Sequence, residues 1–327
     1  MGKHAHARSL AGGTFILGWL LVAGFACAQQ FPAKVIRIIT GETGGGLDGG
    51  ARIIAQGMAA NIIQQVIVEN RGGSAVIPAQ ALIKAQPDGY TILYYGNSIW
   101  LLPLLQSDVP YDAVRDFAPI TMAVAAPNML VVHPSLPVKS VKELIVLAKA
   151  TPGGLNYASG ISGSSNHLAA ELFKSMAGVD IVRIAYKGTA IAFRDLVSGR
   201  VQVMFPPMTD IVLGSLVRSG KLRALAITSR TPSLLFPEVS TMDTAGLPGY
   251  EAGVSYALFA PANTPVAIVS VLNQELVRAL NSAQVRDQFQ KSGVSVVASS
   301  SEQLVAAMKS EIAKMEKVVK SAGIRAD

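Results

Sequence analysis

The residues best placed to do chemistry lie between Asn156 and Met176, in NYASGISGSSNHLAAELFKSM. The short apolar run ending at Ala158 reads as a strand, and Ser159 to Ser165 read as a Gly/Ser turn. Leu168, Leu172 and Met176 then recur at helical spacing, with Lys174 in the last turn and Gly178 as the stop. Such a turn aims the unpaired N–H groups of a helix start, flanked by hydroxyls, at whatever lies beyond the strand. Those groups carry about half a positive charge and attract an anion without a lysine or arginine. A carboxylate or a phosphate fits there.

A second turn of the same kind stands earlier, where Val35 to Ile39 run into TGETGGGLDGG and a helix carrying Ile53, Ile54 and Met58. Two such turns suggest a ligand held between two sets of helix N-termini. The plainer alternative is a pair of ordinary strand-to-helix loops, whose Gly and Ser serve only turn geometry and caps.

The elements that must position these turns alternate. From Val35 the order is a strand, a helix over 49–61, the strand QQVIVE, a helix near 78–86 and the strand YTILYY. This is a βαβαβ pattern that predicts a mostly parallel sheet. Its third strand ends at Gly96-Asn97-Ser98, a polar turn at a carboxyl edge, where open α/β sheets collect ligands. ITMAVAA and NMLVVHP read as extended chain crossing to a second lobe, in which Ser140 and Glu143 form a capping box. Strand and helix alternate again through IVRIAYKG, AIAFRDLVSG, VQVMFPP, a helix near 209–219 and LRALAITS. Tyr250 to Pro261 read as a return crossing, and the last third is mostly helical. The expected architecture is therefore α/β in two lobes, each a mostly parallel sheet flanked by helices, with a ligand cleft between them. Residues 29–131 and 252–327 form the first lobe and 132–251 the second. Two crossings permit hinge closure.

Residues 1–28 have the form of a cleavable export leader. Lys3 and Arg8 precede GTFILGWLLVAGFA, and Ala26-Cys27-Ala28 offers the cleavage site. Cleavage after Ala28 would remove the single cysteine, so disulfides and thiolate metal sites are not expected. The formal charge of +7 falls by two when Lys3 and Arg8 depart. The remaining basic residues are scattered, which argues against nucleic acid and allows only a mild field favouring small anions. Lys314, Lys317 and Lys320 share one face of the last helix, read as solvated.

Catalytic readings fare poorly. Gly44-x-Gly46-x-x-Gly49 is a formal dinucleotide fingerprint, and Glu69 follows about 20 residues on. No acid, base or hydride-handling residue accompanies it, so no cofactor is expected, and a nucleotide-dependent enzyme stands as an alternative. Gly160 to Ser164 lack the second glycine of a nucleophile elbow. His167 and Glu171 have a spacing that could seat a metal, without further ligands nearby in sequence. His167 reads instead as a first-turn residue of the anion loop.

Several segments, in order, resemble the extracytoplasmic solute-binding receptors of tripartite tricarboxylate transporters, the Bug-type proteins. They are VIVENRGG, PDGYTIL, YDAVRDFAPI, NYAS, HLAAELFKSMAG, YKGTA, GKLRALAITS, AGLPGYEA and LFAPANTP. The resemblance implies a periplasmic binding fold of the type II, double-crossover kind, no catalysis, and periplasmic capture of a small organic acid. That solute would be a di- or tricarboxylate, an amino acid or an aromatic acid, passed by a monomer to membrane permease subunits. A receptor that signals to a membrane sensor is the alternative. By the same resemblance the carboxylate is held largely by backbone amides and waters of the two Gly-rich loops. The candidate ligand residues are Gly44, Gly45, Gly46 and Asp48; Gly96, Asn97 and Ser98; Ser159, Gly160, Gly163, Ser164, Ser165 and His167; Tyr186, Lys187 and Gly188; and Phe205. Asp48 also reads as an N-cap. Glu42 stands where relatives have an uncharged residue. A solute carboxylate about 4 Å from it would be repelled by roughly 4 kcal/mol at an effective dielectric of about 20, so Glu42 is expected to turn away or to meet a positive group.

Overall fold

The chain's first strands are drawn together by their isoleucines. β1 (Ile36–Thr40) lies between β2 (Val66–Asn70) and β3 (Thr91–Gly96), parallel to both, with Ile36 beside Val66 and Arg37 beside Thr91. The structure is a computed structural model that describes residues 1–2, 31–44, 46–160, 163–186, 188–210 and 212–322. The expected leader, Gly45 and Lys187 thus lie outside the described residues. Met1–Gln30 form a unit apart, and the account below concerns the second unit, Phe31–Asp327.

Two sheets build this unit. In the first, β4 (Phe117–Pro127), β10 (Gly253–Pro261) and β11 (Ser295–Val296) join the parallel trio in the order β11-β4-β10-β3-β1-β2. In the second, β5 (Met129–Val132), β6 (Asn156–Ser159), β7 (Val182–Ala185), β8 (Val203–Met204) and β9 (Arg223–Ile227) take the order β7-β6-β8-β5-β9. The α/β expectation holds, but the sheets are mixed rather than mostly parallel. The reason is the traffic between them. β10 brings the chain back from the second sheet, so it runs opposite to β3 and β4 on either side. β5 brings the chain in, so it runs opposite to β8 and β9.

The two crossings are tied to each other. Asn128 donates its N–H to Thr228 Oγ1 at 2.6 Å, and that hydroxyl lies 2.6 Å from the Ala252 carbonyl, to which it donates. Buried polar pairing of this kind strengthens in a low-dielectric setting and fixes where the chain changes sheet.

Helices cover both sheets. α1 (Gly46–Ala59), α9 (Val266–Leu280) and α10 (Ala283–Lys291) pack one face of the first sheet through Ile54, Met58, Leu276 and Phe289. α2 (Val76–Ile83), α3 (Ser98–Leu101) and α11 (Ser301–Ala322) cover the other. On the second sheet lie α4 (Val141–Ala150), α5 (Ser165–Ala177), α6 (Thr189–Val197) and α7 (Leu213–Arg218), and the four-residue α8 (Met242–Ala245) follows. Half of the capping box is formed: Ser140 Oγ accepts the Glu143 N–H at 3.2 Å, while Glu143 reaches one residue beyond the cap and accepts the Lys139 N–H at 2.6 Å. Of the lysines read as a solvated face, Lys314 differs, since it is half-buried and donates to the Glu251 carbonyl at 2.5 Å.

Candidate functional site

The first Gly-rich turn joins β1 to α1. Gly44 has φ +82°, a left-handed backbone that a side chain would strain, and its N–H points at the Asp48 carboxylate, 3.0 Å away. Asp48 was expected to cap the helix from outside, and it does not. It lies within the first turn and reaches back, also taking Asn70 Nδ2 at 2.9 Å and Arg52 Nε at 2.9 Å. The Gly44 hydrogen bond, with those from Arg52 and Asn70, overcomes the effect of burial and holds the Asp48 carboxyl at about 2. Its oxygens are thus committed to shaping the loop. Glu42 turns away, as required: its Oε1 accepts the Gly73 N–H of the β2–α2 loop at 3.3 Å.

Asp48→Asn is expected to destabilise the protein at pH 7 by about 2 kcal/mol. The folded-state pKa of Asp48 lies below its unfolded value, so its contribution is present above about pH 4 and is lost as pH falls through about 2. Urea melts of both proteins at pH 7 and pH 3 check this. A gap that does not narrow at the lower pH would refute the assignment.

The second turn joins β6 to α5, and its polar groups are knitted together. Ser159 is buried and accepts Arg183 Nε at 2.8 Å, while Arg183 Nη2 donates to the Gly160 carbonyl at 3.1 Å. Asn166 Oδ1 accepts the Gly160 N–H at 3.1 Å and the Ser164 hydroxyl at 2.6 Å. Gly163, at φ +82°, donates its N–H to His167 Nδ1 at 3.1 Å, which requires the neutral ring with its proton on Nε2. Only 2% of His167 is exposed. Burial, then the charges of Arg183 and Lys174, lower its pKa to about 3. Glu171, the other half of the possible metal pair, accepts from Tyr157 Oη at 2.5 Å and pairs with Lys174 Nζ at 3.0 Å. Arg183 passed unnoticed in the sequence because VRIA reads as an ordinary strand. Only its position on β7, beside Tyr157 of β6, brings the guanidinium to the loop.

The other candidates are distributed. Gly96 ends β3 opposite Tyr256, and Ser98 opens α3. Asn97 Nδ2 donates to Glu311 Oε1 at 2.6 Å and to the Gly253 carbonyl at 3.2 Å, so its amide is held inside the fold. Asn97 and Ser165 share the wall of a small void of about 40 Å³. Tyr186 donates to Asp195 Oδ2 at 3.1 Å, and Gly188 precedes α6 in extended conformation. Phe205 is buried against Phe173, ring centres 5.6 Å apart, and belongs to the core.

A pocket of about 460 Å³ unites the first turn with a different part of the second lobe. Gly44, Gly46 and Asp48 stand on one side and Met208, Thr209, Asp210 and Leu213 on the other, with Tyr94 and Tyr256 along the wall. Its described lining takes nothing from 159–188. The two tyrosine rings lie 5.7 Å apart, and burial pushes Tyr256 up to about 12, so its phenol is a neutral hydrogen-bonding group engaged with Thr209. Asp210 and Arg218 share this pocket, yet neither carried a recognisable motif in the sequence.

Comparison with known proteins places this architecture. Residues 50–324 match the family described as the tripartite tricarboxylate transporter family receptor. The chain is 35% identical to protein BugT of Bordetella pertussis over 315 residues, covering 94% of this chain and 96% of that protein. Its fold is similar to that of Rpa4515 of R. palustris, solved with adipate, with TM-score 0.79, 33% identity, and 90% and 99% of the two chains covered. MatC of Rhodopseudomonas palustris, solved with bound malate, gives TM-score 0.76 and 28% identity, covering 88% and 100%. With a two-sheet unit crossed twice and a matching profile over most of its length, the chain belongs to the tripartite tricarboxylate transporter receptor family.

Proposed function

We propose that this protein is a periplasmic receptor that captures a small carboxylate-bearing solute and delivers it, as a monomer, to the membrane permease subunits of a tripartite transporter. The observation that carries the reading is the 460 Å³ pocket opening against the first turn of α1, where Gly44 and Gly46 sit at the positive end of a helix. Its volume suits a small organic molecule. The solutes seen with Rpa4515 and MatC, adipate and malate, are both dicarboxylates and support this choice. The lobes, divided close to residues 131 and 252, close on the solute about the Asn128 and Thr228 crossings. The start of α1 beyond Gly44 supplies backbone donors, Asp48 holds Gly44 in place, and the segment from Met208 to Leu213 forms the facing wall from the other lobe. Capture involves no chemical conversion of the solute.

A thermal-shift panel of di- and tricarboxylates, amino acids and aromatic acids tests this. A binding member at about 100 times its dissociation constant should stabilise the protein by about 2.7 kcal/mol. Absence of any shift across the panel would overturn the reading.

A further inference from the structure

Asp210 lines the 460 Å³ pocket, and its Oδ2 is buried with no hydrogen-bond partner among the described residues. Buried carboxylate oxygens are almost always satisfied, so an exception inside a ligand-sized pocket calls for a donor. The neighbours supply none. Lys291 on the pocket rim is paired with Asp287 at 2.6 Å, and the Arg218 guanidinium lies over the Phe236 ring, 5.7 Å from its centre. The Tyr256 phenol engages Thr209, and Asp48 on the facing wall is itself an anion with its oxygens filled. Burial alone pushes the Asp210 carboxyl up to about 6.

The pocket therefore has two poles of opposite preference: the start of α1, where Arg52 offsets the Asp48 charge and the free helix N–H groups attract negative charge, and Asp210, which attracts positive charge. Ile53, Phe236 and Phe289 supply apolar wall. A solute carrying only carboxylates satisfies one pole and approaches the other with like charge, whereas a protonated amine forms the charge-assisted hydrogen bond that Asp210 lacks.

Building on the carboxylate-receptor reading, we propose that Asp210 determines specificity by receiving the ammonium group of an amino-bearing carboxylate whose acid group sits at the first turn of α1.

Calorimetric titration of the intact protein with matched pairs, glutarate against glutamate and 3-phenylpropanoate against phenylalanine, tests this. The amino member of at least one pair should bind about tenfold tighter or better, and Asp210→Asn should bring that ratio close to one. Deaminated acids binding as well as or better than their amino partners in the unaltered protein would overturn the proposal while leaving the carboxylate reading intact. So would a ratio that survives in Asp210→Asn. Failure of every acid in both pairs to bind would overturn the carboxylate reading and this proposal with it. Because the pairwise ratio is measured first on the unaltered protein, the test does not depend on the variant folding.

Discussion

His167→Asn is expected to flatten the acid limb of the stability curve between about pH 6.5 and pH 3. In the folded protein the ring is neutral, and burial with the nearby charges of Arg183 and Lys174 keeps its pKa at about 3. In the unfolded chain it titrates near 6.5, so between these values the unfolded state binds a proton that the folded state refuses, and stability falls as pH falls. The full span corresponds to a loss on the order of 5 kcal/mol. Asparagine was chosen because its side-chain oxygen can stand where Nδ1 accepts the Gly163 N–H, while carrying no titratable group. The variant should be less stable than the parent at pH 7.5, by about 1–3 kcal/mol for lost packing, and should lose less on going to pH 4. Urea midpoints at several pH values measure this, and two curves that stay parallel would contradict it. The Asp48 contribution changes only below about pH 4, so the two groups act in largely separate windows.

Trp100→Ala should destabilise the protein by about 3–5 kcal/mol from the cavity alone. The indole is 2% exposed, lies edge-on to Phe259 at 6.0 Å between ring centres, and donates Nε1–H to Glu311 Oε2 at 2.9 Å. Glu311 is held by that bond and by Asn97, while burial raises its pKa. Removing the indole therefore also strips a donor from a buried carboxyl group, adding about 1–3 kcal/mol. Trp100→Phe separates the contributions: it keeps most of the ring volume and should show mainly the smaller loss. Chemical denaturation of the three proteins gives the comparison. A loss below about 1 kcal/mol in Trp100→Ala would mean that α11 does not depend on this anchor.

Trp100 also shows where sequence reasoning reaches its limit. It follows the polar turn Gly96-Asn97-Ser98 at a strand's carboxyl edge, a position where open α/β sheets collect ligands. Instead α11, two hundred residues later, covers it. Patterns with a short period were readable: the isoleucines of β1, the Gly-rich starts of α1 and α5, the Ser140–Glu143 box and the alternation of strands and helices all rest on neighbours within one or two turns. Asp48 was read as an N-cap, while its place inside the first turn of α1 and its reach back to Gly44 were not. Arg183 and Asp210 gave no local sign, because a lone charged residue in a strand or loop looks solvated until its partners are known.

The amino-acid order by itself determined that two Gly-rich strand-to-helix turns exist and that the chain crosses twice between two α/β halves, since each follows from backbone geometry and hydrophobic period. Tertiary structure alone decided which turn opens into the 460 Å³ pocket, that the crossing strands make both sheets mixed, and that Asp210 stands in the same pocket as the amides of α1. Those outcomes depend on packing between segments distant in the chain, where burial and low dielectric, not local propensity, set what each charged group meets.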